Sequence, residues 1–110
     1  DPISLQFSQS QIVFILIIFL YSKLIKMENY FKEIEKRLKE KIIFEKLEII
    51  DNSQKHKGHK FFSAEKYHLH LKIKSLYLKS ISRLSAQKLI MNLLKEDLKT
   101  KIHALEISIE

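Results

Sequence analysis

The strict alternation of apolar and polar side chains over residues 67–74 constrains the fold more than any other feature of this sequence. The apolar positions are Tyr67, Leu69, Leu71 and Ile73, and the polar positions between them are His68, His70, Lys72 and Lys74. Successive side chains of a strand point to opposite faces, so the pattern predicts a β-strand with one buried face and one face in water. We therefore expect His68 and His70 to be exposed surface residues.

The segments before this strand predict a helix, a second strand and a loop. Residues 28–41 show helical spacing, because Phe31, Ile34 and Leu38 lie three and four positions apart among charged residues. Residues 43–51 are rich in β-branched side chains and are followed by polar turn-forming residues, which predicts a strand. The polar residues 54–65 contain the single glycine of the chain and indicate a loop.

Beyond Ser80 the period becomes helical again, and the chain then closes with a strand. The positions at helical spacing are Leu84, Ile90, Leu93, Leu94 and Asp97, with Ser82 or Ser85 as candidate N-caps. Residues 102–109 read as the last strand, in which His103 shares an apolar face with Leu105 and is expected to be a half-buried structural residue. The predicted order is helix, strand, strand, two helices and strand, an α+β fold with a three-stranded mixed sheet packed by helices.

An uncharged apolar run over residues 12–21 precedes this domain and is followed by Lys23 and Lys26. Ten residues are fewer than the roughly 20 that span a bilayer, and the positive charges follow the run rather than precede it as in a secretory leader. We therefore divide the chain into residues 1–26 and a domain over residues 27–110. The first part is a targeting leader, a membrane-associating segment or a stretch outside the natural protein that starts at Met27; the sequence leaves these three open.

Composition excludes several classes of function. The chain has no cysteine, which excludes disulfides, thiol nucleophiles and thiolate metal sites, and its single glycine excludes glycine-rich phosphate loops. Neither a nucleophile elbow nor a catalytic carboxylate pair stands out, so we expect a protein that is not an enzyme. The net charge of +7 favours an acidic or phosphate-bearing partner, although interleaved charges such as those of residues 32–37 are typical of a solvated helix face.

Four local strings, in chain order, carry a resemblance to a known family. They are IDNSQKHKGH at 50–59, YHLHLKI at 67–73, SRLSAQKLI at 82–90 and IHAL at 102–105. Together they make residues 27–110 resemble the BolA-like family. The resemblance implies a compact fold related to the class II KH-type RNA-binding domain.

The resemblance also implies a function and a partner. BolA-like proteins pair with monothiol glutaredoxins in iron–sulfur cluster trafficking, and a [2Fe–2S] cluster is shared between the two proteins. The glutaredoxin cysteine and glutathione supply thiolates and the BolA-like protein supplies histidine, so we expect no intrinsic cofactor and a monomer or heterodimer. The location expected is intracellular, either mitochondrial or cytoplasmic, and the domain itself is not expected to contact a membrane.

The site residues implied by the resemblance are His56 in the loop and the position now held by Gln87. His56 matches a second ligand histidine of some branches of the family, and His59 stands three positions later beside Gly58. Gln87 occupies the position of the family's ligand histidine, and a neutral amide is a poor ligand for cluster iron. His56 is therefore the candidate metal ligand.

The alternative function is nucleic-acid binding in transcriptional regulation. A basic stripe along the predicted helical region would carry it, and its members are Arg83, Lys88, Lys95, Lys99 and Lys101. The KH hallmark is a loop in which two glycines clamp the nucleic-acid backbone, and this chain has only Gly58.

Overall fold

A computed structural model of the protein describes residues 5–53 and 66–110. Its elements are α1 Gln9–Lys39, β1 Lys46–Asp51, β2 Tyr67–Lys74, α2 Leu76–Ser80, α3 Arg83–Leu93, α4 Lys95–Thr100 and β3 Ile102–Ile109. The strands form one sheet in the order β1-β2-β3, antiparallel between β1 and β2 and parallel between β2 and β3. The predicted α+β fold with a mixed three-stranded sheet is confirmed, and the short helix α2 adds to the predicted order.

The alternating segment is the central strand, and its apolar side forms the middle of the core. Leu69, Leu71 and Ile73 are at most 2% exposed. Other buried apolar side chains of the same compact unit, residues 34–110, include Ile34, Leu38, Leu78, Ala86 and Ile90 on the helices and Leu94 between α3 and α4. Burial of one leucine or isoleucine side chain contributes about 1.5–3 kcal/mol to stability. The packing of these helical side chains against the sheet therefore stabilises the fold.

The first helix starts far earlier than residue 28, where the helical period predicted it to start. Ser8 and Gln11 form a reciprocal cap, because the Gln11 N–H donates to Ser8 Oγ at 3.2 Å and the Ser8 N–H donates to Gln11 Oε1 at 2.9 Å. The helix then runs without a break through Met27, and the chain divides into compact units at residues 33 and 34. A segment that is apolar all round has no 3.6-residue period, which is why the pattern did not predict the start.

The described apolar side chains of residues 12–25 are exposed on every side of α1. An 18-residue window of this helix has a mean hydropathy of 1.7, so α1 is long and apolar enough to cross a membrane. The count of ten residues underestimated this length, because the helix continues beyond the uncharged run at both ends. A targeting leader meets the same criterion of length and composition.

Serine side chains cap the N-termini of α2 and α3. Ser75 accepts the Leu78 N–H at 3.1 Å and donates to the Ile43 carbonyl at 2.7 Å. Ser82 accepts the Ser85 N–H at 3.1 Å, which confirms Ser82 as the N-cap of α3.

The buried face of α3 differs from the predicted one at its first position. Leu84, which we placed on the apolar face, is 62% exposed, and Ala86 takes its place in the core. Ala86, Ile90 and Leu94 are spaced by four residues, and this row faces the core instead.

Candidate functional site beside Gln87

Gln87 is half-buried on α3, where it lines a surface cleft of about 530 Å³. Arg83, one helical turn earlier, lines the same cleft. The remaining described lining residues are Leu78, Lys79, Ile81, Ile107, Ser108 and Ile109. The cleft is therefore bounded by α3, by the end of α2 with the turn after it, and by the end of β3.

The packing of α3 sets the orientation of Gln87. Ala86 and Ile90 are fully buried. Gln87 lies about 100° around the helix from Ala86, so its side chain emerges at the border of the buried face. The Ser82 cap fixes where the helix begins, and it thereby fixes the positions of Arg83 and Gln87.

The chemistry of this cleft favours anions. Lys79 and Arg83 supply positive charge, and Gln87 supplies an amide. Its described lining includes no imidazole or carboxylate. Across residues 5–53 and 66–110, no three histidine, aspartate or glutamate side chains converge to hold a metal ion.

His56 and His59 lie in residues 54–65, outside the described residues, and both remain predictions. Of the predicted cluster site, the structure places Gln87 alone.

His68 and His70 on the central strand are less exposed than the sequence pattern predicted. His68 is only 5% exposed, and its ring lies 4.9 Å from the ring of His103. His70 is half-buried, with Nε2 2.7 Å from Ser108 Oγ and Nδ1 3.8 Å from a carboxylate oxygen of Glu106. Strands border β2 on both sides, and this central position reduces the exposure of its polar face.

His103 also departs from its predicted place, because it is exposed rather than half-buried. The pairing of β2 with β3 shifts between Tyr67 and His68, so that Tyr67 pairs with Ile102 and His68 pairs with Ala104. His103 is the extra residue of this bulge, and a bulge interrupts the two-residue alternation that placed it beside Leu105.

The predicted basic stripe separates into two parts. Arg83 and Lys88 lie about 140° apart around α3, so Arg83 lines the Gln87 cleft and Lys88 does not. Lys88 and Lys95 line a second groove of about 770 Å³, together with Leu89, Met91 and other residues. Lys99 is 3.6 Å from the Glu96 carboxylate, which partly neutralises its charge.

Comparisons with known proteins agree with the fold. The family model described as BolA-like protein matches residues 38–110. The chain is 36% identical over 76 residues to a protein from Sinorhizobium sp described as "Uncharacterized protein in cobS 5'region", a match that covers 67% of this chain and 82% of that protein.

Two solved structures from Arabidopsis thaliana resemble the protein. The BolA domain of SufE1 has a TM-score of 0.60 and 32% identity, over 72% of this chain and 87% of that chain. BolA1 has a TM-score of 0.59 and 27% identity, over 71% and 86% of the two chains. The family match spans nearly all of the compact unit formed by residues 34–110. This chain belongs to the BolA-like family.

Proposed function

We propose that the protein is a non-enzymatic adaptor that pairs with a monothiol glutaredoxin in iron–sulfur cluster trafficking or its regulation. The observation that carries this proposal is the family match over residues 38–110, which includes the helix that bears Gln87. The surface beside that residue has the charge such a partnership needs. Lys79 and Arg83 border the cleft, and a cluster held by thiolates carries negative charge.

The cluster is cargo shared between two proteins in this proposal, and the chain supplies few ligands for it. The amide of Gln87 is a weak ligand for iron, and the described lining of its cleft offers no imidazole to replace it. His56 is the proposed remaining ligand, with His59 as its neighbour, and glutathione and the glutaredoxin cysteine supply thiolates. We therefore propose a complex that holds its cluster weakly or forms without one.

Titration calorimetry of the full chain with apo- and cluster-loaded monothiol glutaredoxin tests the pairing. The proposal predicts one-to-one binding to both forms, with a small preference for the loaded form. His56→Ala removes that preference and leaves binding to the apo form unchanged, and Lys95→Gln in the second groove is the matched control. Absence of binding to both forms would contradict the proposal.

A second candidate function is nucleic-acid binding, and the groove shared by Lys88 and Lys95 favours it. Two lysines beside exposed Met91 can contact phosphates, and the affinity would then fall steeply with salt. A sequence preference among oligonucleotides that Lys88→Gln and Lys95→Gln abolish would support regulation. Binding that is equal for all sequences would leave only general attraction to a basic protein.

The apolar half of α1, which contains the uncharged run over residues 12–21, supports a proposal about location. A helix that is apolar all round and exposed suits a bilayer, and Lys23 and Lys26 suit phosphate headgroups at its end. This property would display the BolA-like unit beside a membrane and would not alter its proposed chemistry. The mitochondrial and cytoplasmic locations both remain proposals.

A further inference from the structure

The cleft beside Gln87 lies against the edge of a strand. Ile107, Ser108 and Ile109 are consecutive residues of β3, and all three line it. Side chains of consecutive strand residues point to opposite faces of a sheet. A cleft that touches all three must therefore lie against the backbone edge of β3 and not against one face.

Within residues 5–53 and 66–110, the outer backbone edge of β3 has no strand paired to it. In the sheet order β1-β2-β3, β3 has a strand neighbour on one side only among the described residues. The Glu110 N–H donates to the Ile73 carbonyl at 2.7 Å, so the backbone of Glu110 faces β2. Because backbone direction alternates along a strand, Ser108 also faces β2, whereas the N–H and carbonyl groups of Ile107 and Ile109 face outward.

The opposite wall of the cleft carries positive charge and apolar surface. Arg83 and Gln87 project from α3, and Lys79 comes from α2. Half-buried Ile81 supplies apolar surface at the same wall. An outward-facing strand edge that lies opposite two cations is complementary to an extended chain with acidic side chains.

We propose that this cleft binds an extended acidic segment of a partner protein, which adds to the sheet as a fourth strand beside β3. Main-chain hydrogen bonds to Ile107 and Ile109 provide affinity, and Arg83 and Lys79 select acidic side chains by charge-assisted hydrogen bonds. The inference goes beyond the pairing with glutaredoxin, because it needs neither a cluster nor His56.

A peptide is favoured over nucleic acid as the occupant. The turn between α2 and α3 contains serine and isoleucine and lacks the glycines that clamp a nucleic-acid backbone. The described lining contains no aromatic ring on which a base can stack. The strand edge, by contrast, offers the alternating donors and acceptors that an extended peptide needs.

Amide hydrogen exchange of the full chain tests strand addition residue by residue. The probe is an acetylated, amidated pentapeptide of alternating valine and glutamate. We expect it to slow exchange at Ile107 and Ile109 at least fivefold and to leave Ser108, which already faces β2, unchanged. The same peptide with lysine in place of glutamate should bind at least fivefold more weakly.

Matched variants locate the binding surface. Arg83→Gln should weaken the glutamate peptide at least fivefold, whereas Lys88→Gln, which changes the other groove, should leave its affinity unchanged. Unaltered exchange at Ile107 and Ile109, or equal binding of the two peptides, would overturn the proposal. Displacement of the peptide by a ten-nucleotide single strand of deoxythymidine that protects the same amides would assign the cleft to nucleic acid instead.

The outcome is separable from that for glutaredoxin. Glutaredoxin that binds the chain while the peptide stays inert refutes the strand-edge inference and leaves the adaptor proposal standing. Binding of the peptide without binding of glutaredoxin refutes the adaptor proposal and leaves the strand-edge inference standing.

Discussion

The guanidinium of Arg37, near the end of α1, forms a forked contact with the carboxylate of Asp97 in α4. Nη1 donates to Oδ1 at 2.6 Å and Nη2 donates to Oδ2 at 3.4 Å, between residues that lie 60 positions apart. Asp97 is only 5% exposed, so the contact is shielded from water on the carboxylate side. It ties the last part of α1 to the helix that leads into β3.

Replacing Asp97 by asparagine should destabilise the domain by about 2–3 kcal/mol, because a charge-assisted contact is lost and Arg37 keeps its charge. Urea unfolding of Arg37→Met, Asp97→Asn and the double variant gives the coupling energy of the pair. Glu35→Gln is the control, since its pair with Lys39 is on the surface and should contribute less than about 0.5 kcal/mol. A coupling energy no larger than this control would contradict the assigned role.

Ser75 is fully buried and joins the segment before β1 to the start of α2. Ser75→Ala leaves the Leu78 N–H and the Ile43 carbonyl without the hydroxyl, and it should cost about 2 kcal/mol in the free energy of unfolding. Ser80→Ala removes an exposed hydroxyl that donates to the Tyr77 carbonyl and should change stability by less than about 0.5 kcal/mol. Thermal unfolding of the two variants measures the contrast, and equal losses would refute it.

Tyr67 predicts a loss of stability in alkali. Burial raises the pKa of its phenol above the ordinary 10.0, and the nearby Asp51 carboxylate raises this pKa further. The unfolded chain therefore releases the proton at lower pH than the fold does, so the stabilisation is present below pH 10 and is lost as pH rises through the folded pKa. Urea unfolding at pH 9 and pH 11 should show a smaller loss for Tyr67→Phe than for the native chain. Tyr77→Phe, which changes an exposed ring, should lose as much stability between pH 9 and pH 11 as the native chain does.

The apolar half of α1 should carry the full chain to the lipid layer in vesicle flotation with anionic liposomes. Replacing Ile15 and Ile18 by aspartate places two charges within the exposed apolar helix and should prevent flotation, because each charge is costly in a bilayer. Glu28→Gln, which lies beyond the apolar half, is the control and should float like the native chain. Equal flotation of all three proteins would dismiss the membrane proposal.

Sequence periodicity predicted the sheet well, because burial of alternate side chains is a local property of each strand. The bounds of β2 and β3 coincide with the predicted segments. The exposure of individual side chains also depends on the neighbouring strands, which the periodicity of one strand does not reveal. The burial of His68 follows from the central position of β2, and the exposure of His103 follows from a bulge between two strands 35 residues apart along the chain.

The candidate site was only partly predictable for the same reason. The family resemblance singled out Gln87, whereas the strand edge of Ile107 and Ile109 opposite Arg83 depends on how β3 lies against α3. The alternation of apolar residues in β3 and its place at the end of the chain give no sign of that cleft. Similarly, Arg83 and Lys88 read as one stripe along the chain, and only the helical geometry separates them.

The position of Gln87 allows a gain-of-function test of the cluster proposal. Gln87→His restores the residue type that the family resemblance implies at this position, on a helix whose cap and buried face are unaffected. Imidazole is a better ligand for cluster iron than a neutral amide, so this variant should slow cluster loss from the mixed complex at least tenfold. Gln87→Asn is the matched control, and its complex should lose the cluster as fast as that of the native chain. Equal rates of cluster loss for Gln87→Asn and Gln87→His would contradict the role of position 87.

The visible circular dichroism of a cluster-loaded monothiol glutaredoxin, recorded as the full chain is added, measures whether this chain engages the cluster of that partner. We expect a change in the cluster bands that saturates at one equivalent of the chain, is smaller with His56→Ala and is larger with Gln87→His. An unchanged spectrum with the native chain and both variants, together with no heat of binding in calorimetry, would show that this chain is not a glutaredoxin partner.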